Sequence, residues 1–274
     1  MKILLAGEGG LGIQTVAKVL TQAANQQNKF SSYIPSFGVE QRGGVSLAYI
    51  QISSKPIPYP RFEKADILVV FCNRALAVSK DFINDETLFI YDNSAIDNKS
   101  LNTVKKHIKK YLGIPAQKIA QEKFSTKTLN MIILGALAQM IKEFKLEDID
   151  KQVNFELKEK IAKNPKIQEM NFAALQEGSR LAETFDMSKT ELSGTDPQEI
   201  TQTFEKDDKK WQRFPEYCKG CGLCIARCPV KALTFSKDLG FLGNPIPTID
   251  LDKCTACGLC QKTCPDGAIK VEKK

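Results

Sequence analysis

Two stretches near the end of the chain, CKGCGLCIARCP (residues 218–229) and CTACGLCQKTCP (residues 254–265), hold eight of its nine cysteines. Both read C-x2-C-x2-C-x3-C-P, and the second restates the first 36 positions later. No other feature restricts the fold so tightly, since eight thiols at fixed spacing must share partners. The opening MKILLAGEGG has too short an apolar stretch for a secretory leader. A cytoplasmic location is therefore expected, where thiols stay reduced and favour metal over disulfides.

Three cysteines at C-x2-C-x2-C spacing wrap three corners of one four-iron cube, and the cysteine before proline reaches the neighbouring cube. The expected sets are Cys218, Cys221, Cys224 with Cys264, and Cys254, Cys257, Cys260 with Cys228. A pair of four-cysteine zinc sites is the alternative, but those join two C-x2-4-C hooks across a longer gap. Two [4Fe-4S] clusters carrying single electrons are thus expected, in a module of residues 211–274 that depends on them to fold. Gly222 and Gly258 leave room for backbone amides to approach the sulfurs. The segment Ser236–Asp250 lengthens the gap between the repeats and reads as a surface hairpin, a docking loop or a neutral insertion.

The rest of the chain has another character. Lys2–Ala6, Val45–Ile52, Ala65–Cys72 and Thr87–Tyr91 are short apolar or alternating runs that read as strands. Residues 29–37 read as extended, and a further strand is expected near Tyr111. Helical spacing marks Ile13–Asn25, a long helix capped by Ser125 or Thr126 and running to Phe144, a helix from Leu146 to Ile161, and a last one, Phe172–Phe185, capped by Asn171. Alternating strands and helices predict a three-layer Rossmann-like α/β domain over residues 1–185. Residues 186–210 are polar and lack a period, and are expected to be a linker, flexible or draped on the surface.

Gly7, Gly9, Gly10 and Gly12 lie in GEGGLG, directly after a strand and before a helix, a placement that can face backbone N–H groups to a phosphate. A dinucleotide site also wants an acid about twenty residues on, and none occurs before Glu40. The net charge is +7, but the lysines are dispersed and not interleaved with aromatics, so no nucleic-acid partner is expected. No apolar run approaches the ~20 residues of a membrane span, so no membrane partner is expected either. His107 and the surrounding Lys105, Lys106, Lys109 and Lys110 read as a solvated basic face, and Cys72 as a small apolar filler.

GEGGLG together with PSFGVEQRGG, which supplies Glu40 and Arg42, resembles the gamma-subunit domain of 2-oxoacid:ferredoxin oxidoreductases, the pyruvate and 2-ketoisovalerate group. IPAQKIA, NMIILGALAQ and NFAALQEGSRLA extend the likeness over residues 1–185. Residues 211–274 resemble a bacterial-type two-cluster ferredoxin, with KKWQRFPEYCKGCGLC similar to the lead-in of the family's delta subunit. Leu11 and Val39 depart from the family's usual Gln and Pro. The resemblance implies a gamma–delta fusion that carries electrons for oxidative decarboxylation of a 2-oxoacid to an acyl-CoA. It implies alpha and beta partner subunits, external ferredoxin or flavodoxin as acceptor, and thiamine diphosphate, Mg and coenzyme A on the assembled complex. It places Gly7, Gly9, Gly10, Gly12, Glu40 and Arg42 among candidate cofactor-binding residues and no catalytic side chain on this chain. The alternative is a ferredoxin-type carrier tethered to a docking or NAD(P)H-binding domain.

Overall fold

Apolar side chains on both faces mark the centre of a sheet. Lys2–Glu8 (β1) has six of its seven residues buried. The other strands are Phe30–Phe37 (β2), Val45–Ser53 (β3), Ile67–Val70 (β4), Leu88–Asp92 (β5) and Lys110–Ile114 (β6), in the order β2-β3-β1-β4-β5-β6. β1, β4, β5 and β6 run parallel, while β3 is antiparallel to both β1 and β2. Pro35 lies in β2, an edge strand, where a missing N–H is tolerated. In this computed structural model residues 1–37, 44–186, 188, 190–195, 201–240 and 243–273 are described. Two compact units divide the chain, Met1–Asp196 and Pro197–Lys274.

Among its described residues the first unit has eight α-helices: Ile13–Gln26 (α1), Asn73–Ser79 (α2), Asn98–Asn102 (α3), Ala116–Lys123 (α4), Leu129–Ile141 (α5), Leu146–Glu156 (α6), Lys158–Lys163 (α7) and Lys166–Thr184 (α8). One face of the sheet, with Ile3, Leu5, Val69 and Ile90, packs on α1, α4, α5, α6 and α8. The other, with Leu4, Ala6, Leu68 and Phe89, packs on Ala75 and Leu76 of α2 and Leu101 of α3. This is the three-layer α/β arrangement read from the alternating pattern. α5 is buried along most of its length because α8 lies against its backbone. A methyl on Gly135 would stand 2.0 Å from the Leu175 carbonyl oxygen, and one on Gly178 1.9 Å from that of Ile132.

Four expectations need correction. Ser125 caps only a short 3-10 turn, its Oγ accepting from Lys127 N, and the helix behind it starts at Leu129 and stops at Ile141, where Lys142 turns left-handed (φ 56°). The helix expected over Leu146–Ile161 is two, parted at Leu157. Asn171 does not cap a helix; it is buried inside α8, which begins five residues earlier. The stretch 186–210 is not all linker. Residues 190–195 lie on the first unit, with Tyr91 Oη donating to the Ser193 carbonyl at 2.7 Å and Asn98 Oδ1 accepting from Gly194 N at 2.9 Å. Gln202–Lys206 (β7) and Lys209–Arg213 (β8) then form a hairpin that belongs to the second unit. Apart from the buried Arg213 its polar side chains are exposed or half-buried, and only Phe204 opposite Trp211 supplies an apolar pair, so no period shows in the sequence.

The second unit adds β9 (Leu233–Leu239), β10 (Pro245–Ile249) and β11 (Ile269–Lys273), with two short helices, α9 (Leu223–Ala226) and α10 (Leu259–Thr263). β11, β8 and β7 make one antiparallel sheet, and β9 with β10 another. Trp211, Cys224, Leu233 and Ile269 form its small core. The segment Ser236–Asp250 is thus the greater part of a β-hairpin. Among the described residues no helix is long and apolar enough to cross a membrane.

Candidate metal centre

The two cysteine stretches repeat in conformation as well as in sequence. Positive φ recurs at Gly220 (70°) and Ala256 (54°), at Gly222 (74°) and Gly258 (70°), and at Lys231 (48°) and Gly267 (64°), each pair 36 positions apart. The recurrence holds even where one member is not glycine, so the loop geometry dictates the conformation. Its result is a set of amides turned onto sulfur. Cys228 Sγ accepts from Ala232 N and Cys264 Sγ from Ala268 N, both at 3.3 Å, as Cys254 Sγ does from Ala256 N. The left-handed Gly222 and Gly258 then start α9 and α10.

The structure brings the cysteines together across the repeats. Burial pushes the Cys224 thiol up to about 12, and Cys218, Cys221 and Cys264 add to it. Cys218 is likewise raised by burial, with Cys264 and Cys221 contributing. These four therefore face one another. Cys254, Cys257, Cys260 and Cys228 line one small pocket with Leu233, Ile249 and Val271. Among the described residues no three Cys, His, Asp or Glu side chains converge closely enough for a single metal ion. Cys218 and Cys224, kept from ionising by burial and by the neighbouring thiols, need a cationic core to exist as thiolates.

The insertion hairpin sits on the first loop. A methyl on Gly240 would lie 1.9 Å from the Cys218 carbonyl oxygen, and one on Gly220 2.7 Å from both Asn244 Cβ and the Pro245 carbonyl oxygen. Asn244 Nδ2 donates to the Lys219 carbonyl at 3.1 Å. Arg213, 2% exposed, clamps the hairpin to β8: it donates to Ser236 Oγ at 3.1 Å and to the Pro247 carbonyl, and pairs with Asp238. Lys219 and Asp266, which follow a cysteine and a Cys-Pro in opposite repeats, meet at 3.3 Å with side chains only 9% and 10% exposed. Sequence reasoning missed Lys219, Asp266 and Arg213; two opposite charges directly beside crossing cysteines were the available signal.

In the first unit the glycine loop is held by its own packing. Gly9 N donates to the Gly44 carbonyl at 2.9 Å and Leu11 N to that of Glu8 at 3.1 Å. A methyl on Gly12, at φ 77°, would strike Asn130 Nδ2 at 2.3 Å, and one on Gly7 would strike Ile13 Cδ1 at 2.5 Å. Gly10 is exposed at the turn. At the base of the loop stands Glu8, 4% exposed, with Arg74 at 3.6 Å, a carboxylate that opposes a phosphate there. Glu40 and Arg42 lie outside the described residues. Burial, aided by Glu8, pushes the Cys72 thiol up to about 12. His107 ends an exposed 3-10 turn, and Lys109 and Lys110 pair with Asp85 and Glu86 at 2.7 Å on the surface, worth little individually.

Comparison with known proteins follows the same division. A common gamma subunit of pyruvate/ketoisovalerate oxidoreductases from Pyrococcus furiosus is 29% identical over 191 residues, 68% of this chain and 100% of that one. A ketoisovalerate oxidoreductase subunit of Methanothermobacter marburgensis is 29% identical over 137 residues, 50% of this chain. There the match spans only 28% of the relative's length. The solved 2-oxoglutarate:ferredoxin oxidoreductase from Magnetococcus marinus, with 2-oxoglutarate, coenzyme A and succinyl-CoA bound, shares the fold: TM-score 0.59 and 24% identity, covering 74% of this chain and 34% of that one. Residues 217–268 match the 4Fe-4S dicluster domain. Residues 2–181 match the pyruvate ferredoxin/flavodoxin oxidoreductase model, and the chain belongs to that family.

Proposed function

We propose that this chain is the gamma-type, electron-carrying subunit of a thiamine-diphosphate-dependent oxidoreductase that converts a 2-oxoacid to an acyl-CoA and reduces ferredoxin or flavodoxin. What supports the reading is that Cys264 lies near Cys218, Cys221 and Cys224 while Cys228 shares a pocket with Cys254, Cys257 and Cys260, on a chain whose residues 2–181 match this family. Cys218, Cys221, Cys224 and Cys264 would hold one cluster, and Cys254, Cys257, Cys260 and Cys228 the other. When bound, such clusters accept and release electrons singly. The chain's own residues prepare for that. Amides of Ala232, Ala256 and Ala268 stabilise negative sulfur. The exchange of Cys228 and Cys264 between repeats fixes the two sites side by side within the second unit. Lys219 lies next to Cys218, a buried cation that offsets thiolate charge.

The carbon chemistry is assigned to alpha and beta partners in the cytoplasm, which would bring thiamine diphosphate, Mg and coenzyme A. No G-D-G segment of the kind that holds thiamine and magnesium occurs in the sequence; Asp266–Gly267 belongs to the second cysteine repeat. The α/β unit of residues 1–185 would then be the assembly platform. Anaerobic purification of the tagged chain from its native host is the test. Co-elution of thiamine-binding subunits, with 2-oxoacid-dependent reduction of ferredoxin across a panel of 2-oxoacids, is the expected result. A chain that elutes alone and active only with nicotinamide cofactors overturns it.

A further inference from the structure

The hairpin of β9 and β10, which lengthens the gap between the cysteine repeats, does not hide its large apolar side chains. Phe235 and Leu239 on β9 are each 53% exposed. Phe235 stands over Gly222, a ring carbon 3.1 Å from where a methyl there would lie, and the next residue, Leu223, is 44% exposed. Gly240, which follows Leu239, lies against the Cys218 carbonyl, and Tyr217, which precedes Cys218, is 45% exposed. Large apolar side chains that face solvent thus flank the loop Cys218–Leu223, two from the hairpin and two from the loop's own ends. A contiguous apolar patch of this kind marks an interaction surface.

The free charges around it have one sign. Lys237 lies between Phe235 and Leu239, and Arg213 holds its neighbours Ser236 and Asp238 inward. Arg227 comes one turn after Leu223, its N–H bonded to the Leu223 carbonyl at 3.0 Å, and so on the same side of α9. Both cations are exposed, and neither has an acidic partner among the described residues. The acids close by are engaged, Asp238 with Arg213 and Asp266 with Lys219. A second copy of the chain would set these cations against their own kind across a twofold axis, so the surface fits a different, acidic protein.

We infer that this apolar patch with its cationic rim is the docking surface for a small ferredoxin whose own rim is acidic, and that the hairpin exists to build it. The inference rests on the proposed function, which needs such an acceptor. Electron-transfer contacts are small and are steered by complementary charge, as this patch allows. Cys257 on the second loop is exposed as Cys221 is on the first; what the second loop lacks is the hairpin, since nothing comes within 4 Å of the methyl site at Gly258.

The test uses the whole complex, purified anaerobically from the native host and assayed for 2-oxoacid-dependent reduction of the host's ferredoxin, with methyl viologen as the reference acceptor because it needs no docking surface. In low salt, Lys237→Glu and Arg227→Glu, each matched to wild type in iron and sulfide, should lower the ferredoxin-to-viologen ratio of kcat/KM about tenfold. A ratio unmoved in both variants overturns the inference. The unmodified complex supplies two measurements that need no variant. Its KM for ferredoxin is expected to rise with ionic strength, and a carbodiimide is expected to join Lys237 to a ferredoxin carboxylate. A KM indifferent to salt, or cross-links that pass Lys237 by, overturn the inference. So does Lys237 joined to another subunit of the complex when ferredoxin is absent. A complex that reduces neither acceptor with any 2-oxoacid overturns the proposed function itself.

Discussion

Gly220 and Ala256 hold the same place in the two cysteine repeats, and both have positive φ. At Gly220 the space a methyl needs is filled by Asn244 and Pro245 of the insertion hairpin, whereas at the second position a methyl is already present. Gly222 has the Phe235 ring 3.1 Å from the site of its missing methyl; around Gly258 nothing comes within 4 Å. Lys219 and Asp266 bracket the first set with a largely buried ion pair, and their counterparts 36 positions away are Thr255 and Val230. The same loop geometry is therefore built twice, once packed against the hairpin and charge-braced, once with neither, although each carries an exposed cysteine, Cys221 and Cys257. Backbone and sulfur placement follow from what a cluster requires, while cover and charge are free to diverge.

The largest effect expected is from Cys224→Ala, which takes the buried cysteine from the covered set. Iron content should fall towards half, or one signal should convert to a three-iron form, while Cys72→Ala leaves both clusters in place; iron analysis with electron paramagnetic resonance on each variant decides. Unchanged iron in the first variant would break the crossed assignment. Next in size is Gly220→Ala, which gives the first repeat the residue the second already has. Left-handed strain costs about 1–2 kcal/mol at either position, and the overlap with Asn244 and Pro245 adds about 1–3 kcal/mol at this one. Faster loss of iron to a chelator from one cluster only is the expected outcome. The ion pair comes third. Lys219→Thr alone leaves Asp266 without its closest cation and should cost about 3 kcal/mol. Lys219→Thr with Asp266→Val, copying the second repeat, should recover most of that. A double-mutant cycle on thermal midpoints under argon measures the coupling, and additive losses would show that the pair does not brace the site.

How far these features could be read beforehand depends on how local their causes are. The cysteine sets were legible because coordination chemistry fixes spacing within a dozen residues. Strands β1 and β4 were legible because a strand buried on both faces must be apolar throughout. Asn171 misled because the first turns of α8, Lys166–Glu169, lie largely at the surface and carry no apolar period. The β7–β8 hairpin was hidden for the same reason, with one apolar pair to show for two strands. Gly135 and Gly178 look like weak points in helices, and only the contact of α5 with α8 explains them. The hairpin's cover and the Lys219–Asp266 pair join residues 13 to 47 positions apart. Each depends on the crossing of the repeats, which ligand spacing implies but side-chain chemistry alone does not place.

The finest test of the comparison uses its best-matched pair. Gly222→Ala and Gly258→Ala meet the same backbone strain, since the two φ values are 74° and 70°, and each should lose about 1–2 kcal/mol. Beyond that, Gly222→Ala must push back the Phe235 ring, whose outer carbon is 3.1 Å away, while Gly258→Ala meets open space. Phe235 is half exposed and free to swing outward, so the excess should be only about 0.5 kcal/mol, below the ~1–3 kcal/mol of a methyl forced into a packed core. Chelator-driven iron loss, followed separately for the two spectroscopic signals, should be faster for Gly222→Ala at its own cluster by about twofold, since 1.4 kcal/mol is tenfold. Replacing Phe235 by Ala should erase that excess and leave the shared strain. Equal rates for the two glycine variants, or a faster loss for Gly258→Ala, would mean that the hairpin does not press on the first loop, and the distinction between a covered and an open site would fail with it.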